Sequence, residues 1–252
     1  MLGCIIQARM CSTRLKGKVL REISPDETLL SFLIKQIKNC KSLKNIVVAT
    51  TNLKEDDVIV DFLKSNNIQI FRGNPENVLD RFYHCALEFN FSTIVRLTAD
   101  NPLIDPCVID LIVENFLSSK CDYLSNTHPR TFPQGNDTEI FSFKSLKETW
   151  LNATKFSEKE HVTPYIYNNP NLFKIENLSH TVDYSDLRWT VDHLNDLEFV
   201  QQIINKIKHR PILFHDIVSL LDKDPKLFLY NKNHIVDEGY KKSKSHDENS
   251  SI

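Results

Sequence analysis

The sequence predicts an α/β protein with a mostly parallel, Rossmann-like sheet flanked by helices. Two observations support this fold class: short apolar runs alternate with amphipathic segments of helical period through the first half of the chain, and these runs end in polar loops. A chain of 252 residues with 41% hydrophobic content can bury one substantial core. We therefore expect a single domain over residues 1–240 that contains a smaller subregion at about 122–180.

The elements of the first half follow this alternation in order. Each predicted strand is a short apolar run, and each predicted helix carries apolar residues three or four positions apart. A capping box at Ser24–Glu27 is predicted to begin the first helix. The predicted strands are Cys4–Ala8, Asn45–Thr50, Ile68–Phe71 and Thr93–Leu97, and the predicted helices include Leu30–Ile37, Val58–Ser65, Val78–Phe89 and Ile109–Phe116.

After Cys121 the alternation becomes irregular, and Pro129 and Pro133 bracket a loop. From Lys241 onward the chain is too polar to bury a face, so we expect residues 241–252 to form a disordered tail. Short strands are predicted at Tyr123–Leu124, Glu139–Phe141 and Phe173–Ile175, and helices near 144–152, 158–168, 194–207 and 213–222.

Composition argues against several classes of partner. The net charge of −2 favours neither nucleic acid nor an anionic membrane. The sequence has no apolar run of about 20 residues and no basic region ahead of its first apolar segment, so we expect a cytoplasmic protein without a membrane partner. Its six cysteines show no metal-ligand spacing and are expected to be reduced.

The loop after the first strand is the most informative segment. Four cations lie within ten residues, and their mutual repulsion would be relieved by a bound anion. Nucleotide sites of open α/β sheets lie at the carboxyl ends of the strands, so this loop predicts a polyphosphate site. It is not a P-loop, because Gly17 is its only glycine. Its charged and hydroxyl residues are Arg9, Ser12, Thr13, Arg14, Lys16 and Lys18.

Two aspartates follow other predicted strands. Asp100 comes directly after the fourth strand and is expected at the same edge of the sheet as the basic loop. One carboxylate with phosphate oxygens and water can hold Mg²⁺, although Asp100 is equally suited to cap a turn. Asp192 ends a short strand, but spacing alone does not show that it meets Asp100.

Two further segments leave both a site role and a structural role open. Arg81 lies on the first turns of a helix near the carboxyl edge of the sheet, within reach of a nucleotide, whereas Arg72 could equally form a surface ion pair. His161 precedes an apolar helical stretch, where a histidine is more often a packing residue than a ligand.

These segments resemble one family along residues 3–235. The family is the cytidylyltransferase-like group of spore coat polysaccharide biosynthesis protein F, related to acylneuraminate and 3-deoxy-manno-octulosonate cytidylyltransferases. The matching blocks, in the family's order, read R-x-x-S-x-R-x-x-x-K from Arg9, R-G-x-x-x-x-V-L-D-R from Arg72, T-A-D-x-P-L-I-D from Thr98, E-H-V-T-P from Glu160 and R-W-T-V-D-x-x-x-D from Arg188.

The resemblance implies a nucleotide-diphospho-sugar transferase type of fold and an enzyme that activates a sugar or sugar-acid with CTP, for surface polysaccharide or glycoconjugate synthesis. It further implies Mg²⁺ as cofactor, a sugar-like acceptor, and a homodimer formed by the smaller subregion. The implied catalytic residues are Arg9, Arg14, Lys18 and Asp100, and the implied metal ligands are Asp100 and Asp192. The implied nucleotide-binding residues are Ala8, Arg9, Ser12, Arg14, Lys18, Arg72, Arg81 and Asp100, and the implied acceptor residues are Asn126, Gln134, Asp137, Glu139, Glu160 and His161.

Two alternatives remain open at the level of the sequence. A glycosyltransferase of the same fold would attack a sugar carbon of a nucleotide-sugar donor instead of phosphorus. A non-catalytic nucleotide-binding module is the second alternative, because the chain departs from the family where Cys11 replaces a glycine and Asn136 replaces a leucine. Lys16 and His193 are further departures, in place of a proline and a small polar residue.

Overall fold

The computed structural model describes residues 1–230 and 237–249. Seven strands form one sheet in the order β5-β4-β1-β6-β8-β7-β9, and β2 and β3 form a separate hairpin. The strands are β1 (Leu2–Gln7), β2 (Glu22–Ser24), β3 (Glu27–Thr28), β4 (Ile46–Thr51), β5 (Gln69–Gly73), β6 (Thr93–Thr98), β7 (Tyr123–Ser125), β8 (Glu139–Ser142) and β9 (Ile175–Asn177).

The first four strands of the sheet are parallel, which confirms the predicted fold class. β1 pairs with β4 and β6, with Cys4 opposite Ile46 and Leu2 opposite Thr93. β8 runs antiparallel to both β6 and β7. The predicted strands agree with these bounds to within one or two residues. Because β7, β8 and β9 continue the same sheet, residues 122–180 lie directly beside the parallel strands of the first half of the chain.

Helices cover both faces of the sheet, and alternate strand residues enter two apolar cores. In β1, Cys4 and Ile6 face one core and Ile5 faces the other. The helices are α1 (Leu29–Ile37), α2 (Asp57–Ser65), α3 (Val78–Glu88), α4 (Pro106–Ser118), α5 (Phe143–Asn152), α6 (Phe156–His161), α7 (Pro164–Tyr167), α8 (Leu194–Lys206), α9 (Phe214–Lys223) and α10 (Glu238–Asn249). Short 3₁₀ turns occupy Lys18–Leu20, Lys54–Asp56 and Pro225–Tyr230.

The predicted capping box at Ser24–Glu27 is wrong. Those residues belong to the β2–β3 hairpin, whose turn residue Asp26 has a φ of 61°. The cap of α1 is Thr28, whose hydroxyl accepts the amide of Ser31 while the Ser31 hydroxyl accepts the amide of Thr28. In the hairpin the Ser24 hydroxyl donates to the Glu27 carboxylate instead of both side chains capping backbone amides, and the local pattern does not distinguish the two arrangements.

The single helix predicted near 158–168 is divided into α6 and α7. At the break, Val162 has a φ of 70° and a ψ of −54°, and the Thr163 amide donates to the His161 carbonyl at 2.8 Å. This is a γ-turn, which is strained for a β-branched residue. Pro164 then begins α7, where its missing N–H costs nothing.

The predicted disordered tail is wrong for residues 241–249, which form most of α10. This helix packs against α6: Ser243 is buried, with its Oγ 3.0 Å from Nε2 of His161. Polar and aromatic contacts hold the helix, so a criterion based on burial of apolar residues missed it. Residues 250–252 lie outside the described residues.

Candidate active site

A cavity of about 360 Å³, here called the main cavity, opens at the carboxyl ends of β1 and β6. The loop after β1, the segment after β6, and α3, α6 and α10 contribute its walls. Six cations and two carboxylates line it among the described residues, so it favours a multiply charged anion. The cations are Arg9, Arg14, Lys18, Arg81, Arg96 and Lys242, and the carboxylates are Asp100 and Glu160.

Lys18 joins the two predicted metal ligands. Its ammonium donates to Oδ2 of Asp100 and Oδ1 of Asp192, each at 2.8 Å, and to the Val191 carbonyl at 2.9 Å. Burial alone would lower the pKa of Lys18, but the two aspartates outweigh it and the pKa is raised. Gly17, with a φ of 68°, gives the chain the left-handed turn that directs Lys18 inward.

Asp192 is neutralised by three cations. In addition to Lys18, Arg14 donates to Oδ1 at 2.5 Å and Arg188 donates to Oδ2 at 3.0 Å. Burial would raise the pKa of Asp192, yet Lys18 and Arg14 hold it well below its usual range. Asp100 has fewer partners: among the described residues its other oxygen accepts only the Thr98 hydroxyl, and its side chain is 25% exposed.

Arg9 and its neighbours are held in place from two sides. The Arg9 guanidinium donates to Glu160 of α6 at 2.8 Å. The next residue, Met10, donates its amide to Asp56, whose other oxygen accepts the hydroxyl and amide of Thr51. The basic loop is therefore attached to the end of β4 as well as to α6.

Ala8 and Ser12 both line the main cavity, as predicted for nucleotide-binding residues. The Ser12 hydroxyl accepts the amide of Leu15 at 3.4 Å, which stabilises the turn of the loop.

Arg81 reaches the main cavity from inside the fold. It is 1% exposed, and one guanidinium nitrogen donates to the Asn74 carbonyl at 2.6 Å. Its Nε has no hydrogen-bond partner among the described residues. Burial, with a smaller contribution from Arg9, lowers the pKa of Arg81 to about 10. A buried, incompletely paired guanidinium beside a cavity is suited to an anionic ligand.

The structure does not bring Arg72 to the site. Its guanidinium donates to the carbonyls of Thr51 and Leu53 and forms an ion pair with Asp57 at 2.7 Å. Within the described part of the chain, Arg72 lines neither cavity. This placement corresponds to the surface ion pair that the sequence left open.

A second cavity of about 180 Å³ adjoins the first, and three predicted acceptor residues line it: Asp137, Glu139 and His161. Buried Glu139 pairs with Arg96 and accepts the hydroxyls of Tyr123 and Thr163, each at 2.6 Å. Burial would raise the pKa of Glu139, but Arg96 and these donors lower it, so the carboxylate is charged.

The other predicted acceptor residues divide between the cavities and the scaffold. Glu160 and His161 line the main cavity. Burial lowers the pKa of His161 to about 4, so its imidazole is neutral near pH 7. Asn126 is fully buried between the backbone groups of Asn136 and Thr138, and the backbone of Gln134 pairs with that of residues 187 and 189. Asn126 and Gln134 therefore shape the wall without lining either cavity among the described residues.

The departures at residues 11 and 136 do not enter the main cavity. Cys11 is exposed and lies outside its described lining. Asn136 is fully buried, and its Oδ1 accepts the Asp105 amide at 2.8 Å. Neither side chain enters the main cavity beside its cations, so the observations that favoured a non-catalytic module are weakened.

Several residues of the site escaped the sequence analysis. Arg96 carried a usable signal, because a cation interrupts the otherwise apolar strand β6. Asp56 carried none, since it lies in a charged run that reads as a solvated turn. Lys242 lies in the segment predicted to be disordered.

Comparison with known proteins identifies the family. Residues 3–235 match the cytidylyltransferase family over almost the whole chain. The chain belongs to the cytidylyltransferase family. α10 lies beyond the matched residues.

Similarity between this chain and its relatives extends along most of each chain. An uncharacterized protein of Methanocaldococcus jannaschii is 38% identical over 91% of this chain and 93% of its own. The spore coat polysaccharide biosynthesis protein SpsF of Bacillus subtilis is 32% identical over 88% of this chain and 94% of its own. The structure of a cytidylyltransferase from Leptospira borgpetersenii is 33% identical, covers 93% of this chain and 98% of its own, and superposes with a TM-score of 0.87.

A more distant structure shares the fold of the family. CMP:2-keto-3-deoxy-manno-octonic acid synthetase complexed with CTP is 14% identical, with a TM-score of 0.62.

Among the described residues, no helix combines the length and the apolar character needed to cross a membrane.

Proposed function

We propose that this protein transfers the cytidylyl group of CTP to an oxygen of a sugar or sugar-acid, releasing pyrophosphate. The observation that carries the proposal is the main cavity, where the loop cations and Asp100 meet at the carboxyl edge of the sheet and Lys18 links Asp100 to the buried Asp192. Family membership supplies the reaction type. By analogy with the role of SpsF that its name describes, we propose that the product serves surface polysaccharide or glycoconjugate synthesis.

In this proposal the cations exchange their present partners for phosphate oxygens. Arg9 would leave Glu160, and Arg14 and Lys18 would share their charge between Asp192 and the triphosphate. The acceptor oxygen forms a bond to the α-phosphorus while the bond from that phosphorus to pyrophosphate breaks, and where the acceptor is a hydroxyl its proton leaves to water. Negative charge develops on the leaving pyrophosphate, so fixed cations lower the barrier by electrostatic stabilisation.

Mg²⁺ belongs to the proposal, with Asp100 and Asp192 as its protein ligands. Both carboxylates already converge on one cation, the ammonium of Lys18, and their oxygens suit Mg²⁺. Among the described residues no group of three or more acidic, His or Cys side chains is disposed to hold a metal, so phosphate and water would supply the other ligands. When bound, the ion would neutralise phosphate charge and polarise the α-phosphoryl group.

The second cavity is the proposed acceptor site. Asp137 is ion-paired with Arg130, and Glu139 with Arg96, so its charged groups are mutually compensated and present a polar lining. Such a lining suits the hydroxyls of a sugar. The neutral His161 lines both cavities, and Glu160 pairs with Arg9 in the main cavity, so the acceptor oxygen would meet the α-phosphate near His161.

The test is a pyrophosphate-release assay with CTP, Mg²⁺ and a panel of keto-sugar acids and sugar phosphates. We expect release only when a matching acceptor is present, and a product that carries CMP by mass spectrometry. A Lys18→Met variant should be inactive, whereas Arg72→Met, a cation outside the cavities, should retain activity. Nucleoside diphosphate release from a nucleotide-sugar donor would instead identify a glycosyltransferase.

We further propose a cytoplasmic homodimer in which residues 122–180 form the subunit contact. Light scattering at several concentrations measures the mass, and cell fractionation measures the location. A monomer at all concentrations would contradict the homodimer.

A further inference from the structure

The C-terminal helix α10 is docked against the site by contacts from several of its turns. Ser243 meets His161 of α6, Asp247 accepts the Ser157 amide at 3.1 Å, and the Tyr240 ring stands edge-on to His161. This docking places Gly239, Lys242 and Ser243 in the wall of the main cavity. The helix lies outside residues 3–235, the segment that matches the family.

Within this wall, one carboxylate connects the helix to the basic loop. Glu238 accepts the Lys242 ammonium at 2.5 Å through Oε1, and its Oε2 lies 3.5 Å from Arg14 and 3.3 Å from His193 Nε2. Lys242 and Arg14 are therefore held by opposite oxygens of the same side chain. A polyphosphate bound to Arg14 would also lie within reach of the long, flexible side chain of Lys242.

We infer that Lys242 of α10 is a further cation that binds the polyphosphate of the nucleotide. Until the ligand binds, Glu238 keeps the Lys242 ammonium in an ion pair. This inference rests on the proposed function, in which the main cavity holds a nucleoside triphosphate. The lysine side chain is 66% exposed, so it can leave Glu238 without crossing packed atoms. A triphosphate offers it more negative charge than the single carboxylate does.

A purely structural role makes a different prediction. Glu238 and Lys242 are spaced i, i+4 on α10, a pairing that by itself slightly stabilises an exposed helix. If that were its only role, removing either partner would loosen the helix in the same way. A phosphate-binding role requires opposite effects, because losing Lys242 removes a ligand whereas losing the Glu238 charge frees Arg14 and Lys242 for the phosphates.

The experiment measures calorimetric dissociation constants of CTP, CMP and inorganic tripolyphosphate for the full chain and three variants. Lys242→Met should weaken CTP and tripolyphosphate about tenfold, as expected for one charge-assisted contact, and leave CMP within about twofold. Lys241→Met is the matched control: this neighbouring, exposed lysine lies outside the described lining of the main cavity, and its substitution should change none of the three constants. Glu238→Gln should bind CTP and tripolyphosphate more tightly than the wild type.

The outcomes separate this inference from the proposed function. Equal constants for Lys242→Met and Lys241→Met, or a weakening by Glu238→Gln that matches Lys242→Met, would overturn the role of Lys242. If the wild type binds tripolyphosphate in a manner that depends on Lys242 but shows no preference for CTP, the inference stands and the base assignment fails. A wild type that binds neither CTP nor tripolyphosphate would overturn both.

Discussion

Most cations of the main cavity form ion pairs with carboxylates. Arg9 is paired with Glu160, and Lys18 with Asp100 and Asp192. The two aspartates nevertheless differ in how much the fold depends on them: the Asp100 side chain is 25% exposed, whereas that of Asp192 is 10% exposed and contacts three cations. Substitutions at the two positions should therefore separate catalysis from stability.

We predict that Asp100→Asn abolishes turnover but lowers the melting temperature by no more than about 2 °C, because Lys18 keeps Asp192 and the Val191 carbonyl as partners. Asp192→Asn should also abolish turnover, but with about 1–3 kcal/mol of lost stability, since three partly buried cations lose a shared counter-charge and keep only Asp100, Glu238 and Asp196 as acidic partners among the described residues. Calorimetry and the pyrophosphate assay provide both readouts. Equal losses of stability would contradict the distinction, and normal activity of either variant would contradict its place in the site.

His161 should make stability depend on pH. Its pKa is about 4 in the folded protein and 6.5 ordinarily, so the unfolded chain takes up a proton first as the pH falls. The stability is fully present above pH 6.5 and decreases between pH 6.5 and 4, by at most about 3 kcal/mol. Urea unfolding of wild type and His161→Asn over this range measures it. The free energy of unfolding of His161→Asn should depend less steeply on pH than that of the wild type. Identical slopes of this free energy against pH would contradict a buried neutral imidazole.

At the scale of elements, the basic loop owes its position to the 3₁₀ turn after β4. Asp56 of that turn is 1% exposed and accepts the Met10 amide at 2.7 Å, one residue beyond Arg9. Its other oxygen is occupied by Thr51 at the end of β4. The turn therefore fixes the basic loop, which has no regular structure of its own, relative to the end of β4. Asp56 is a positioning residue.

We predict that Asp56→Ala raises KM for CTP about tenfold and changes kcat less, because the loop loses an anchor while its cations remain. Loss of the buried acceptor should also cost about 1–3 kcal/mol of stability. Asp57→Asn is the matched control, since its exposed carboxylate pairs with Arg72 away from both cavities. Steady-state kinetics on the two variants measures the effect. An unchanged KM in Asp56→Ala would show that the loop holds its position without this contact.

The break between α6 and α7 is a second example at this scale. The γ-turn at Val162 ends α6 so that Glu160 and His161 point toward the cavities, while Thr163 on the other side of the turn binds Glu139. The cost of the strained φ is of the order of 1–3 kcal/mol, and the surrounding packing supports it.

At the scale of the whole molecule, ligand binding should be visible as stabilisation. The cavity joins the β1 loop, β6, α3, α6 and α10, so a bound nucleotide connects elements from both halves of the chain. We predict that CTP with Mg²⁺ at 100 times its dissociation constant adds about 2.7 kcal/mol, or about 5–10 °C in melting temperature. ATP and GTP at equal concentration should add less. Equal shifts with all three would contradict cytosine preference but leave phosphate binding intact.

Sequence alone determined the features that depend on local pattern. Alternating apolar runs and helical periods located the strands of the main sheet to within one or two residues, because burial on a sheet or helix face imposes its period on neighbouring residues. The basic loop and the segment after β6 were also readable, since parallel strands end at a common edge and their polar loops must open there. On this basis Arg9, Arg14, Lys18 and Asp100 were expected at one edge of the sheet, and all four line the main cavity.

Only the tertiary structure decided which distant residues meet. Lys18 joins Asp100 to Asp192, Arg81 faces the cavity while Arg72 turns away, and a polar segment predicted to be disordered returns as α10 to wall the site. Each of these contacts links parts of the chain far apart in sequence or selects between two similar neighbours. Local periodicity carries no information about either, because such contacts are fixed by the packing of the whole sheet and by the compensation of buried charge.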